Sequence, residues 1–351
     1  MSKTIPTLAL ALLSTLAACG GASDPAGAPA GPAQLAAAQS AAQAAAQSTA
    51  QSAYSAAALA APPVSEPQQS IRTAASSVAA AVPPAARRAM WSWYDADIGT
   101  SARQRAMLDF ATDQRVSVIY LHSESLLTRQ PALLAGFLNR AAAYGVTVEL
   151  LFGASEWMLS ANHQYALDLV AKSNAFVAGL TGARPAGLHF DIEPHSLPNW
   201  KTDQVAMGQQ LIDLYQKLAR AKAAGLYLHA DIALGYEYLT LTRGGVSKTL
   251  SQWLIDSTDR VTVMSYRDVA LGADGIVAHA AHPIAYAGTL GKLAVAGVET
   301  ACNAELPKVT FCEEGRLALE GQLGSVGAYF GGAAGFGGVA IHDYRNFKVL
   351  R

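Results

Sequence analysis

Cysteine is scarce in this chain, at three of 351 residues, and charge is sparse and balanced, 25 basic side chains against 26 acidic. So few cysteines exclude a disulfide-dense scaffold. The even balance excludes a nucleic-acid partner, which would call for a basic stripe. Long apolar runs are missing too: the run Leu8–Leu13 behind Lys3 is too short to span a bilayer and has the length of an export-signal core. Between Gly20 and Ala86 charge nearly vanishes and Tyr54 is the one aromatic, so that stretch cannot bury enough surface to offset its ordering entropy. The 51% hydrophobic content is inflated by alanine there.

What is present begins with an address. Leu16-Ala17-Ala18-Cys19 resembles a bacterial lipobox, which implies cleavage after residue 18 and lipidation of Cys19. Gly20 after the cysteine, by the same resemblance, favours the outer membrane. Residues 1–18 are thus expected to be a signal peptide, residues 19–86 a low-complexity tether, and residues 87–351 the folded domain. The expected protein is an exported, membrane-anchored monomer. Cys302 and Cys312 remain as an even pair outside the cytoplasm, and a disulfide between them is expected.

From Arg88 onward short β-rich runs alternate with helical patterns, the mark of repeated βα units. The expected strands are Ala89–Trp93, Val116–Leu121, Val146–Phe152, Gly187–Glu193, Leu226–Ile232, Arg260–Tyr266, Leu293–Glu299 and Gly338–His342. Between them fall the expected helices Ala102–Thr112, Pro131–Tyr144, His163–Leu180, Gln204–Ala224, Val246–Asp256, Gly275–Gly291 and Glu314–Leu323. A last helix has room only in Asn346–Arg351. The fold class is α/β, a (β/α)8 TIM barrel, and the remaining length is close to the ~250 residues typical of one. An open doubly wound sheet would need a glycine-rich phosphate loop after the first strand, where Ser92-Trp93-Tyr94-Asp95 stands.

Active sites in such barrels lie at the C-terminal ends of the strands. Strand four ends in Asp191-Ile192-Glu193-Pro194; alternate residues share a face, so both acids project inward with His189 behind them. Two acids there are costly to bury without a purpose. The same rim gathers Trp91, Trp93 and Tyr94, then His122, Trp157, Asp231, Tyr266, Asp268, Glu299, His342 and Tyr344. Flat apolar faces beside fixed hydrogen-bonding groups suit sugars. The histidines His122, His189, His229 and His342 with Asp191 and Asp231 are also a possible ligand set. Barrel amidohydrolases begin with His-x-His on strand one, however, where Trp91-Ser92-Trp93 stands, so no metal and no cofactor is expected. Serine-histidine-aspartate chemistry has no nucleophile-elbow motif to support it.

Leu188-His189-Phe190-Asp191-Ile192-Glu193-Pro194, followed by Val263-Met264-Ser265-Tyr266-Arg267-Asp268, resembles the family 18 chitinases. The resemblance implies Glu193 as the acid, Asp191 as its partner and Tyr266 as the contact to a substrate N-acetyl group that attacks in place of a nucleophile. The family's two earlier aspartates fall at Ala186 and His189, and Arg267 separates Tyr266 from Asp268. The chain also resembles the retaining glycosidases that carry glutamates after strands four and seven, which implies Glu193 as acid/base and Glu299 as nucleophile or base, with Ile192 replacing that clan's asparagine. Across Met90–Tyr344 it is similar to exported bacterial barrels of mostly unassigned substrate. The expected function is glycoside hydrolysis of an envelope or secreted polysaccharide; the alternative is a carbohydrate-binding barrel without catalysis.

Overall fold

The computed structural model describes residues 87–351. The expected signal, lipid site at Cys19 and tether all lie outside the described residues. Eight parallel strands close into a barrel in the order β1 (Arg87–Ser92), β2 (Val118–His122), β3 (Thr147–Phe152), β4 (Gly187–Phe190), β5 (Tyr227–Ile232), β8 (Arg260–Val263), β9 (Leu293–Glu299) and β10 (Phe336–His342), with β10 returning to β1. The outer helices are α1 (Ser101–Asp113), α2 (Glu124–Arg129), α3 (Pro131–Ala143), α4 (His163–Gly179), α5 (Trp200–Ala221), α6 (Leu250–Ser257), α7 (Ile276–Thr289), α8 (Gly315–Phe330) and the short α9 (Tyr344–Val349). Among the described residues no helix is long and apolar enough to cross a membrane.

Alternation along each strand separates two environments. Leu150, Phe152, Leu188, Phe190, Leu228, Val261 and Ile341 face the helices in one continuous apolar layer. Each such side chain, fully buried, stabilises by about 1.5–3 kcal/mol. The opposite faces of the strands hold Ala89, Trp91, Trp93, Val118, Tyr120, Leu151, Val295 and Ala340, a separate inner cluster. Sharing that interior are polar side chains: Glu149, His189, His229, Asp231 and Thr262 are all buried.

Several expected elements are corrected: β4 stops at Phe190 where Glu193 was expected, and β8 at Val263 where Tyr266 was expected. Val246–Asp256 is not a helix throughout. Residues Val246–Thr249 form β7, antiparallel to β6 (Thr240–Arg243), and α6 starts only at Leu250. The two-residue turn between them is Gly244-Gly245, with φ 57° and 80°, the left-handed backbone such hairpins need. Thr249 then caps α6, its side chain accepting from Gln252 N–H while Gln252 answers at the Thr249 N–H. Helix α8 outlasts its expected end at Leu323: Gly321, Gly324 and Gly327 weaken its helical signal, but Val326 and Phe330 carry its buried face onward.

Candidate active site

The interior network is built from the bottom of the barrel upward. Glu149 on β3 is fully buried and accepts from Tyr227 Oη; the Arg260 guanidinium lies 3.8 Å from its Oε1. Its Oε2 is 3.1 Å from His189 Nδ1 and 2.7 Å from His229 Nδ1. His189 Nε2 in turn lies 2.9 Å from Asp231 Oδ1, and Trp91 Nε1–H donates to Asp231 Oδ2 at 3.0 Å. His189 therefore stands between two carboxylates, hydrogen-bonded to Glu149 through Nδ1 and at ion-pair distance from Asp231 at Nε2, a setting that favours the imidazolium. Burial opposes that charge, but Asp231 and Glu149 raise its pKa to about 9. His229, stacked on His189 at 3.9 Å, goes the other way: burial and the His189 charge lower its pKa to about 4. As a neutral ring it gives Nδ1–H to Glu149 and takes the Thr262 hydroxyl proton at Nε2, 2.8 Å away. Burial works against ionised Glu149 as well, yet His229 and His189 hold its pKa well below the usual carboxylate range.

Glu149, His189 and His229 also form the one group among the described residues with metal-ligand spacing. The distances of 2.7–3.1 Å suit hydrogen bonds. His229 Nε2 is bonded to the Thr262 hydroxyl, His189 Nε2 faces Asp231 at 2.9 Å, and the charges of Arg260, Glu149, His189 and Asp231 cancel without an ion. The donor set fits a proton network better than a metal.

Above this network is the mouth. β4 ends at Phe190, fixed by Tyr215 Oη–H donating to its carbonyl at 2.9 Å, and Asp191 N–H still bonds Phe152 O at 2.8 Å. Pro194 keeps Glu193 out of helical backbone, at φ −107° and ψ 79°. Asp191 is buried, and burial, the Glu193 carboxylate beside it and Asp231 raise its pKa well above the carboxylate range. Its Oδ1 finds no donor. A proton held on Asp191 supplies what two neighbouring acceptors lack. Glu193 Oε2 is 3.0 Å from His195 Nε2. Gly153 separates the groups behind: a Cβ there would fall 2.6 Å from Asp191 O, 3.3 Å from Asp191 Cβ and 3.5 Å from Trp93 Cη2. Across the mouth, Glu299 Oε1 accepts from Thr300 and Ala301 N–H, each at 2.7 Å, and its Oε2 lies 2.9 Å from His342 Nδ1. Trp93 Nε1–H donates to His342 Nε2 at 2.9 Å. Tyr266 is buried among these acids: burial first, then Glu299, Asp231, Asp191 and Glu193, raise its pKa well above that of a free phenol.

The expected site residues divide. Asp191, Glu193, Tyr266, Glu299, Trp93 and His342 come together. His122 joins them, 3.6 Å from Asp95 through Nδ1 and without a partner at Nε2. Others are placed elsewhere or already covered. Trp91 is 1% exposed inside the barrel, edge-on to Tyr120, and Asp231 is buried there with it, Oδ2 accepting from Trp91 and Oδ1 facing His189 at 2.9 Å. Trp157 is stacked on Tyr165 at 5.1 Å, and Tyr94 lies under the Arg345 guanidinium at 3.5 Å. Tyr344 packs against Phe110 of α1, in the helix layer. The Asp268 backbone N–H bonds Lys308 O, and the charges acting on its side chain are those of Arg267, Glu313 and Lys308. Cys302 and Cys312 form a disulfide in the loop following Glu299.

Two contributors escaped the sequence reading. Glu149 is a lone acid in Thr147-Val148-Glu149-Leu150-Leu151-Phe152, which was a usable signal. Tyr236 comes from a loop with none. Its buried hydroxyl has no partner, and burial, Glu193 and Asp191 raise its pKa.

No family model and no curated protein matches this chain. Solved structures with the same barrel include a chitinase from Bacteroides thetaiotaomicron, 11% identical over 75% of this chain and 91% of that one, with a TM-score of 0.48. A family 18 chitinase from Cycas revoluta in complex with (GlcNAc)3 is 12% identical over 74% and 96%, with a TM-score of 0.46. A β-galactosidase from Halorubrum lacusprofundi is 10% identical over 73% and 52%, with a TM-score of 0.48. At these identities and TM-scores the likeness is one of barrel fold and says nothing of activity, and a D-psicose 3-epimerase from Clostridium cellulolyticum is matched in the same range.

Proposed function

We propose that this protein is a glycoside hydrolase working by carboxylate acid catalysis at the C-terminal mouth of the barrel. The observation that carries the reading is the Asp191–Glu193 pair, two crowded acids of which one is driven to hold a proton. The unpartnered buried atoms around it, Asp191 Oδ1, His122 Nε2 and the Tyr236 hydroxyl, suit a ligand rich in hydroxyls. The proton held by the Asp191–Glu193 pair passes from Asp191 to Glu193 and on to the leaving glycosidic oxygen as the bond to the anomeric carbon breaks. Such acid catalysis is worth roughly 10²–10⁴-fold. Asp191 and Tyr266 orient the group that forms the new bond to that carbon. Glu299 Oε1 already accepts two backbone N–H groups and Oε2 faces His342 Nδ1 at 2.9 Å, which favours a substrate acetamido group over Glu299 as the attacking group. The substrate class is then an N-acetylated envelope or secreted glycan, met by a protein anchored through lipid on Cys19.

Glu193→Gln tests the reading on a panel of polysaccharides and activated aryl glycosides. Loss of nearly all turnover with retained sugar affinity supports it. A wild-type protein that binds glycans and releases no reducing ends is the non-catalytic barrel.

A further inference from the structure

Tyr165 lies in the first turn of α4, which starts where the chain leaves the loop after β3, so it stands at the mouth end of the barrel. Its side chain is 48% exposed, yet two contacts fix it. One face of the ring is stacked on Trp157, with centroids 5.1 Å apart and planes 28° apart, and Trp157 is itself buried. The hydroxyl donates to Glu124 Oε1. Burial and then Glu124 push its pKa up to about 12, so the phenol keeps the proton that makes this bond. The loop beneath is tied down too: Asn162 Nδ2 donates to Glu156 O at 2.9 Å, and Ser160 N–H donates to Gln210 Oε1 at 2.8 Å. With one face covered and the hydroxyl held, the exposure belongs to the other face. Tyr144 and Tyr329, exposed to a similar degree, stand at the ends of α3 and α8, on the opposite side of the barrel from the mouth.

Glu124 ties this ring to the site. It opens α2 two residues after His122, which continues the inward strand face of Val118 and Tyr120 and has no partner at Nε2. The Tyr165 platform therefore adjoins the mouth on its β2–β3 side. A flat apolar face with a carboxylate at its edge suits a sugar unit, whose C–H side lies on the ring while its hydroxyls reach the acceptor. A tyrosine already fixed at its face and its hydroxyl loses little freedom when a ligand settles on it. We propose that Tyr165 is the platform of an outlying glycan subsite, carrying a sugar unit beyond those held at Asp191 and Glu193, so that the ligand is an extended chain. The proposal rests on the glycan-binding reading above. It makes Trp157, expected from the sequence to touch sugar itself, a positioning residue beneath Tyr165.

The test is calorimetric titration with chitobiose and chitohexaose, in a Glu193→Gln background so that bound sugar is not consumed. Tyr165→Leu removes the flat face while apolar bulk still covers Trp157, and leucine suits the helix. It should weaken chitohexaose by roughly tenfold and chitobiose by less than about twofold, the loss of one stacked unit. Tyr165→Phe keeps the ring and should restore most of the hexamer affinity. Should Tyr165→Leu not fold, Glu124→Ala releases the hydroxyl instead and should also weaken the hexamer more than the dimer. Equal losses for the two sugars, or no loss for either, overturn the proposal. So does a protein without Tyr165 substitution that binds chitohexaose no more tightly than chitobiose, or binds neither. Chitohexaose that wild type binds and never cleaves sinks the hydrolase reading alone, since the affinities still decide the platform.

Discussion

Replacing His189 by asparagine removes the cation that Glu149 and Asp231 share inside the barrel, where all three side chains are buried. Asparagine cannot supply the charge, and two carboxylates are left facing each other across it. Breaking a buried ion pair by removing one partner costs roughly 3–5 kcal/mol, about 10 °C in Tm for a domain of this size. The pH dependence sharpens the test. The folded-state pKa of His189 is raised from 6.5 to about 9, so its stabilisation is complete below pH 6.5 and is lost as pH rises through about 9. That shift is worth about 3 kcal/mol by linkage. Urea unfolding of wild type and His189→Asn at pH 6 and pH 10 should show a gap of about 3–5 kcal/mol that shrinks by about 3 kcal/mol at the higher pH. Other titrating groups cancel in the difference, to the extent that they do not contact His189. Equal urea midpoints at pH 6, or a gap that does not change with pH, would refute the charged-histidine account.

Gly153→Ala places a methyl 2.6 Å from Asp191 O, so it should lower stability by about 1–3 kcal/mol and turnover more than glycan affinity, checked by urea melts and steady-state kinetics. Thr249→Ala removes the cap of α6 and should cost about 1 kcal/mol with activity intact; a loss of activity at unchanged stability would contradict a purely structural role. Cys19→Ser should leave an unprocessed or soluble species in place of a membrane-associated one, read by fractionation, because a lipid chain holds through its buried methylenes. Unchanged membrane association would count against lipidation.

The barrel was legible in the chain because its cause is local. Eight apolar strand runs at βα spacing, each with one face against helices, can close in few ways, and Gly145, Gly225 and Gly291 mark helix–strand junctions with φ between 66° and 86°. The Asp191-x-Glu193 pair was legible because it follows directly on an apolar strand run, although β4 itself ends at Phe190 and both acids lie just beyond it. The β6–β7 hairpin was not, because Val246, Leu250, Leu254 and Ile255 imitate a helical stripe, and the Gly244-Gly245 turn that breaks it was passed over. The Glu149–His189–Asp231 network and the Glu299–His342–Trp93 contacts join residues from different strands, and their partners depend on register across the barrel. Sequence proposed Trp91 and Trp93 as equals. Only the tertiary structure buried Trp91 on Asp231 and set Trp93 on His342 at the mouth, because a side chain's role here follows from its height along the barrel axis, which is fixed by strand pairing and not by residue type.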